Sequence, residues 1–319
     1  MALIKHIPTL KQLRHLIALS EHEHFGRAAE ACLITQASLS ASIKELETIL
    51  GKILVERTKR HVEMTPLADQ VVARARHVIV SVEDIVDLVA SQYQPLHGTL
   101  RLGVIPTIAP FLLHRVLPIL RKDYPDLRLY LREGQSAAIL NDLTAGRLDL
   151  TLLAFPYPTE NLETLIFAQD PLWLAFNKDD PLKSREHITI KDIDPESLLL
   201  MEEGNCLRDH SLSAARLNHS ATDNVFQATS LSTLVQMVDN GLGTTILPKM
   251  AIDGGIARGT KVGLRPLSGK DTSRQIGFAW RKSSPRRDEF KLLADYFQAE
   301  LATPIVPKKK SGQRLSGSN

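Results

Sequence analysis

Thr35-Gln36-Ala37-Ser38-Leu39-Ser40-Ala41-Ser42-Ile43-Lys44-Glu45-Leu46-Glu47-Thr48-Ile49-Leu50 is the stretch whose reading settles what the first part of the chain is. A hydroxyl residue stands just before an apolar stripe at Leu39, Ile43, Leu46 and Leu50, which predicts a capped helix with one buried face. Gln36 falls in its first turn, and Ala37, Ser40, Ala41 and Lys44 turn away from the stripe. Two shorter helices lead into it. Thr9-Leu10-Lys11-Gln12 is a capping box, followed at helical spacing by Leu13, Leu16 and Ile17. The segment Gly26 to Leu33 reads as a second helix whose small Ala28 and Ala29 allow a close crossing. Three such helices make either a plain bundle or a helix-turn-helix. In the latter the last helix enters the major groove, its N-terminal side chains reach base edges, and a glutamine can bond an adenine through two hydrogen bonds.

Outward from this helix, Leu54 to Pro66 supplies two short extended runs around a basic turn, the signature of a wing. Arg57, Lys59 and Arg60 would sit there beside phosphates, fixing position without reading sequence. Thr65-Pro66 then starts another helix by cap and first-turn proline. Val71, Ala75, Val78, Val82, Ile85 and Val89 follow at alternating spacings of four and three, a seam that asks for a partner helix. Tyr93-Gln94-Pro95-Leu96-His97-Gly98 breaks that helix and reads as a hinge.

From Thr99 the pattern changes to strands alternating with helices. Strands are expected at 100–105, 127–131 and 148–155, with helices at 110–122 and through Leu143. This predicts an α/β unit with a mainly parallel sheet whose ligands sit at the C-terminal ends of the strands. Thr107 and Ser136 follow the first two strands, as helix caps or as ligand groups. A second α/β unit runs from about Gln169 to Arg265, with a buried strand at 198–201, a strand at 224–228, a helix at 231–238 and the segment Gly-Leu-Gly-Thr-Thr-Ile-Leu-Pro at 241–248. The chain then returns through a strand at 275–280 and a closing helix at 289–301. In Leu198 to Leu217, Gly204 turns the chain and a helix begins just after Cys206, which places a sulfur at a helix N-terminus. The unpaired N–H groups there and the guanidinium of Arg208 would favour the thiolate, while Glu202 and Glu203 push the other way.

Composition bounds these readings. The 319 residues, 43% hydrophobic, suit an ordinary two-domain globular protein, and no apolar run is long enough to span a membrane. The start lacks the apolar core of a signal peptide, so the expected location is the cytoplasm. Cys32 and Cys206 are the two cysteines, too few for a disulfide scaffold or a cysteine zinc site. A net charge of +3 is compatible with a nucleic-acid partner without requiring one.

The order Phe25-Gly-Arg-Ala-Ala29, Thr35-Gln-Ala-Ser-Leu-Ser40 and Glu56-Arg-Thr-Lys-Arg60 resembles the DNA-binding domain of LysR-type transcriptional regulators over the whole of Leu10 to Pro66. Gly204-Asn-Cys-Leu-Arg-Asp209, with its Ser/Ala-rich helix, resembles the sensing segment of the OxyR group within that family, the peroxide-responsive regulators. The resemblance implies an α/β protein: a winged helix-turn-helix (1–66), a linker helix through which subunits pair (67–92), a hinge (93–98), and a two-subdomain effector domain (99–305) similar to periplasmic binding proteins. Subdomain I is expected at 99–168 and 272–305, subdomain II at 169–271, and 306–319 as a disordered basic tail. It implies DNA contacts from Thr35, Gln36, Ser38, Ser40, Arg57, Lys59 and Arg60. It also implies a peroxide site of Thr107, Ser136, Asn205, Arg208 and Arg274 around Cys206.

The implied partners are double-stranded operator DNA, hydrogen peroxide, RNA polymerase and further copies of the chain, as homodimer or homotetramer. No cofactor, metal, membrane or enzymatic turnover is expected. The chain departs from the family pattern at Ala37 and Ala41, where proline and arginine are frequent, at Asn205, where histidine is usual, and at Ala215, where the resolving cysteine falls. Without that cysteine, disulfide switching is expected to be blocked. Two other functions fit parts of the pattern: a LysR-type regulator of a small organic effector, and a thiol peroxidase, which would leave the winged helix unexplained.

Overall fold

The computed structural model of the chain describes residues 7–57, 62–90, 95–215 and 227–302. These form two compact units, one built mainly of residues up to His97, the other mainly of those that follow.

In the first unit, helices α1 (Leu10–His22), α2 (Phe25–Ala31) and α3 (Gln36–Leu50) enclose a core of Leu16, Leu19, Ala28, Leu39, Ile43 and Leu46, all fully buried. The Thr9–Gln12 capping box is present, with Thr9 N–H donating to Gln12 Oε1 at 2.9 Å and Gln12 N–H to Thr9 Oγ1 at 3.2 Å. Two polar residues join the apolar face of α1: Gln12, held by the cap, and His15, whose Nδ1 lies 2.7 Å from Ser42 Oγ on α3. α2 stops at Ala31, short of the expected Leu33, because Leu33 adopts a left-handed conformation and is exposed. Strands β1 (Val55–Arg57) and β2 (Val62–Met64) pair antiparallel as the wing, and the Glu47 carboxylate ties α3 to it by accepting from the N–H groups of Leu54 and Val55.

Helix α4 (Pro66–Ala90) carries two apolar stripes rather than one. Ala68, Val72, Ala75 and Ile79 are buried within the unit, Ala75 and Ile79 against Leu13 of α1, so Ala75 leaves the expected seam. Val78, Ile85 and Val89 of that seam stay exposed, along with Val86 and Leu88. Of the expected hinge, residues 95–98 are described. Tyr93, Gln94, Lys59, Arg60, most of the expected strand at 224–228 and the basic tail lie outside the described residues.

The second unit alternates strand and helix: β3 (Gly98–Val104), α5 (Ala109–Asp123), β4 (Leu127–Glu133), α6 (Ser136–Thr144), β5 (Leu150–Phe155), then the long β6 (Leu162–Asn177). There follow β7 (Ile188–Thr189), β8 (Leu198–Met201), α7 (Cys206–Ala215), β9 (Gln227–Ala228), α8 (Leu231–Asp239) and β10 (Thr244–Pro248). The last elements are α9 (Lys249–Asp253), β11 (Val262–Ser268), β12 (Ser273–Arg281) and α10 (Arg287–Ala302). The strand order is β4-β3-β5-β12-β6-β10-β8-β9, with β11 also on β6.

The sheet is mixed, not mainly parallel. β3 runs parallel to β4 and β5, and β8 parallel to β9 and β10, but β12 is antiparallel to both β5 and β6, and β6 to β10 and β11. β6 explains this: Leu162–Pro171 pairs with β12, and Leu172–Asn177 with β10 and β11, so one strand serves both groups of parallel strands. Every residue of β5, β8 and β10 is buried, so these strands are apolar but for the hydroxyls of Thr151, Thr244 and Thr245.

Candidate functional site

Cys206 lies where three strand ends and two helix starts meet in the second unit. β3 leads to Thr107, β4 to Ser136 and β5 to Ala154, while α6 opens on Ser136 and α7 on Cys206 itself. Crevices of α/β sheets form at such strand ends. The sulfur is deep: Cys206 is 2% exposed. Its backbone N–H donates to Ser136 Oγ at 3.4 Å, and the Ser136 hydroxyl and the backbone of Ala154 hydrogen-bond the sulfur.

The turn before α7 is held from the other side. Gln135 Nε2 donates to Glu202 Oε1 at 2.5 Å. Gly204 sits at φ +87°, and a Cβ there would come within 2.8 Å of Gln135 Oε1, so glycine meets both the backbone and the space requirement.

Arg274, wholly buried, is the electrostatic centre. It pairs in register with Asp170 across β12 and β6, and its Nε and Nη2 both donate to Asp170 Oδ2, at 3.0 and 2.9 Å. The other Asp170 oxygen accepts the Met250 N–H at 2.9 Å. Arg274 also donates to Thr107 Oγ1 at 2.7 Å and to the Thr107 carbonyl at 3.1 Å. Because Thr107 Oγ1 accepts from the guanidinium, its own proton is left to donate to a bound oxygen. Removing one partner of such a buried pair costs roughly 3–5 kcal/mol, so Asp170 is as much part of the site as Arg274.

Burial pushes the Cys206 thiol up, and the Asp209 carboxylate pushes it further; Arg274, Ser136 and the Ala154 backbone pull it down without prevailing. Two expectations are therefore corrected. The thiol, not the thiolate, is the resting form, because desolvation of an anion outweighs the helix terminus. The cation that acts on the sulfur is Arg274; Arg208 turns Nη1 back onto the Met201 carbonyl at 3.3 Å, and the opposing carboxylate is that of Asp209 rather than Glu202 or Glu203. Asn205 is buried, its Nδ2 donating to the Glu202 carbonyl at 3.2 Å, so it braces the turn. Ala215 closes α7, buried.

Two residues not singled out from the sequence also belong here. His210, one helical turn after Cys206, is 6% exposed; its Nε2 lies 2.9 Å from the Pro156 carbonyl, and burial drives its pKa down to about 4. Tyr157 is half-buried, and its hydroxyl is pushed up chiefly by burial, with its neighbours Cys206 and Asp209 adding to the effect. The Cys-x₃-His spacing was visible in the sequence. The contacts with Pro156 and Tyr157 depend on how β5 ends, which no local pattern encodes.

In the first unit, Thr35 Oγ1 caps α3 at the N–H of Ser38, at 3.2 Å, and lies 2.9 Å from Ser38 Oγ. Gln36 and Ser38 are exposed, Ser40 is half-buried, and Arg57 ends β1. A polar helix start beside a two-stranded wing is thus present.

The profile of the bacterial regulatory helix-turn-helix of the lysR family matches residues 10–69, and that of the LysR substrate binding domain matches residues 93–302. The chain belongs to the LysR family of transcriptional regulators. This LysR-type regulator is 41% identical over 297 residues to the HTH-type transcriptional regulator EstR of Acinetobacter baylyi, covering 93% of this chain and 98% of that one. It is 36% identical over 292 residues to the DNA-binding transcriptional dual regulator OxyR of Escherichia coli, covering 92% and 95%. Among solved structures, a full-length cysteine-to-aspartate OxyR from Pseudomonas aeruginosa superposes with a TM-score of 0.76 at 32% identity, covering 92% of this chain and 95% of that one. The regulator binds DNA, and among its described residues no helix is long and apolar enough to cross a membrane.

Proposed function

We propose that this LysR-type regulator senses hydrogen peroxide through Cys206 and answers at operator DNA, without being an enzyme. The observation that carries the reading is the thiol's setting: a buried sulfur ringed by the hydroxyl of Ser136 and the backbone of Ala154, with the Arg274–Thr107 pair alongside. These groups suit a small polar oxidant better than a bulky ligand. One sulfur lone pair attacks one peroxide oxygen, the S–O bond forms as the O–O bond breaks, and the thiol proton leaves with the departing hydroxide as water. Cys-SH and H₂O₂ thus become Cys-SOH and H₂O. The hydroxyls of Ser136 and Thr107 would serve as donors to the leaving oxygen, and such donors lower the barrier to this step although the resting thiol is not ionised.

α3 would read the operator and α4 would join copies of the chain, as dimer or tetramer, through Val78, Ile85 and Val89. RNA polymerase is the further partner of such a regulator, and the cytoplasm its place. With Ala215 at the end of α7, no thiol at that position resolves the sulfenic acid, which persists, over-oxidises or forms a mixed disulfide with a small thiol without an intramolecular bridge.

A brief pulse of peroxide on the full chain, followed by a sulfenate-specific probe and peptide mapping, tests the reading. Label should appear on Cys206 and be lost in Cys206→Ser; equal labelling of Cys32, whose thiol burial and Glu21 also push up, would overturn it. A second reading rests on the 41% identity to EstR, whose name mentions no peroxide. A small organic effector at the same strand ends would bind the reduced protein and leave Cys206 unlabelled.

A further inference from the structure

We infer that His210 accepts the hydrogen bond of the Cys206 sulfenic acid and so holds the oxidised state that no second thiol captures; the inference rests on the peroxide reading above. Pro156 offers a carbonyl, which only accepts, so the Nε2 at 2.9 Å from it carries the ring proton. Nδ1 is then a bare lone pair, and among the described residues it has no hydrogen-bond partner, in a side chain 94% removed from solvent. Leaving such an atom unsatisfied is costly.

Its place points to what satisfies it. His210 stands four residues after Cys206 on α7, one turn along the same side of the helix. Both side chains lie against one strand end, the sulfur on the backbone of Ala154 and the ring on the carbonyl of Pro156, and both feel the charge of Arg274.

The chemistry of oxidation fits that atom. The groups bonded to the reduced sulfur, the Ser136 hydroxyl and the Ala154 backbone, act as donors to it. Cys-SOH adds a new O–H that must find an acceptor where the side chains of Cys206 and His210 are both buried. Burial keeps the sulfenic acid neutral as it keeps the thiol neutral, and keeps the imidazole an acceptor across the physiological range. In the resting state the lone pair is the cost; in the oxidised state it is matched.

The test uses the full chain with one equivalent of peroxide. In the parent protein, selectively labelled His210 Nδ1 should move upfield in its nitrogen resonance as intact mass gains one oxygen, and Cys206→Ser should show neither change. His210→Leu, which removes the acceptor, should shorten the lifetime of probe-reactive sulfenic acid by about tenfold, the equivalent of one buried hydrogen bond. His210→Asn, whose amide oxygen falls near the Nδ1 position, should restore most of it. An oxygen gained at Cys206 with an unmoved Nδ1 resonance, or equal lifetimes in the parent and His210→Leu, would overturn the inference while leaving peroxide sensing intact. A parent protein that gains no oxygen would overturn the reading on which it rests.

Discussion

The residues around Cys206 are tuned against charge. Burial raises the thiol and lowers His210, so at neutral pH both are uncharged, and the Arg274–Asp170 pair supplies the fixed field. This has a consequence for stability. The folded pKa of His210, about 4, lies below its ordinary 6.5, so as pH falls the unfolded chain takes up a proton first. The stability associated with neutral His210 is fully present above about pH 6.5 and is lost between there and about pH 4, up to about 3 kcal/mol. Denaturant unfolding at several pH values should show a steeper acid loss for the parent than for His210→Asn over that window; parallel curves would mean that the ring titrates normally. Much of this setting was not legible in the sequence. Cys206, Thr107, Ser136 and Arg274 stand at strand ends that periodicity locates, whereas Asp170 is fixed only by the register of β12 on β6, and the reversal of the thiol's expected ionisation follows from a depth of burial that residue types do not reveal.

At the level of elements, local signals wrote most of the first unit. The capping box of α1, the cap of α3 and the Thr65-Pro66 start of α4 were each readable because their hydrogen bonds span three residues. The double use of α4 was not, since Ala75 and Ile79 are claimed by Leu13, a long-range contact that a heptad count cannot anticipate. What α4 leaves uncovered, Ile85 at 63% and Val89 at 57% exposed, marks the face expected to meet a second copy. Ile85→Asp should therefore weaken self-association in sedimentation without lowering monomer stability, and with it the affinity for a two-fold operator. α3 makes a separate prediction. Gln36 is exposed in its first turn, so Gln36→Ala should relax base preference at one operator position by roughly 1–3 kcal/mol while leaving the salt dependence of binding unchanged. Unchanged base preference in a selection experiment would remove Gln36 from the readout.

For the whole molecule, α7 decides what kind of switch the regulator can be. Cys206 and Ala215 are the first and last residues of that helix, nine positions apart. At 1.5 Å per residue their Cα atoms stand roughly 13 Å apart along an intact helix, against less than about 7 Å for a disulfide. A bridge between these positions therefore requires α7 to unwind, and in this chain no thiol at 215 can hold the unwound form. On the peroxide reading, the expected outcome is a site that keeps its helix and gains only an oxygen. Ala215→Cys should change the character of the response: after peroxide, intact mass should fall by two hydrogens rather than rise by an oxygen, far-ultraviolet circular dichroism should lose about a helix of this length, and the operator footprint should shift. The parent chain should lose neither the two hydrogens nor the helix, and its footprint should shift less, only as far as an added oxygen beside His210 and Arg274 displaces the turn at Gly204. A parent protein that already loses helix and two hydrogens on oxidation would mean that another thiol reaches Cys206, and the one-thiol account of the switch would have to be abandoned.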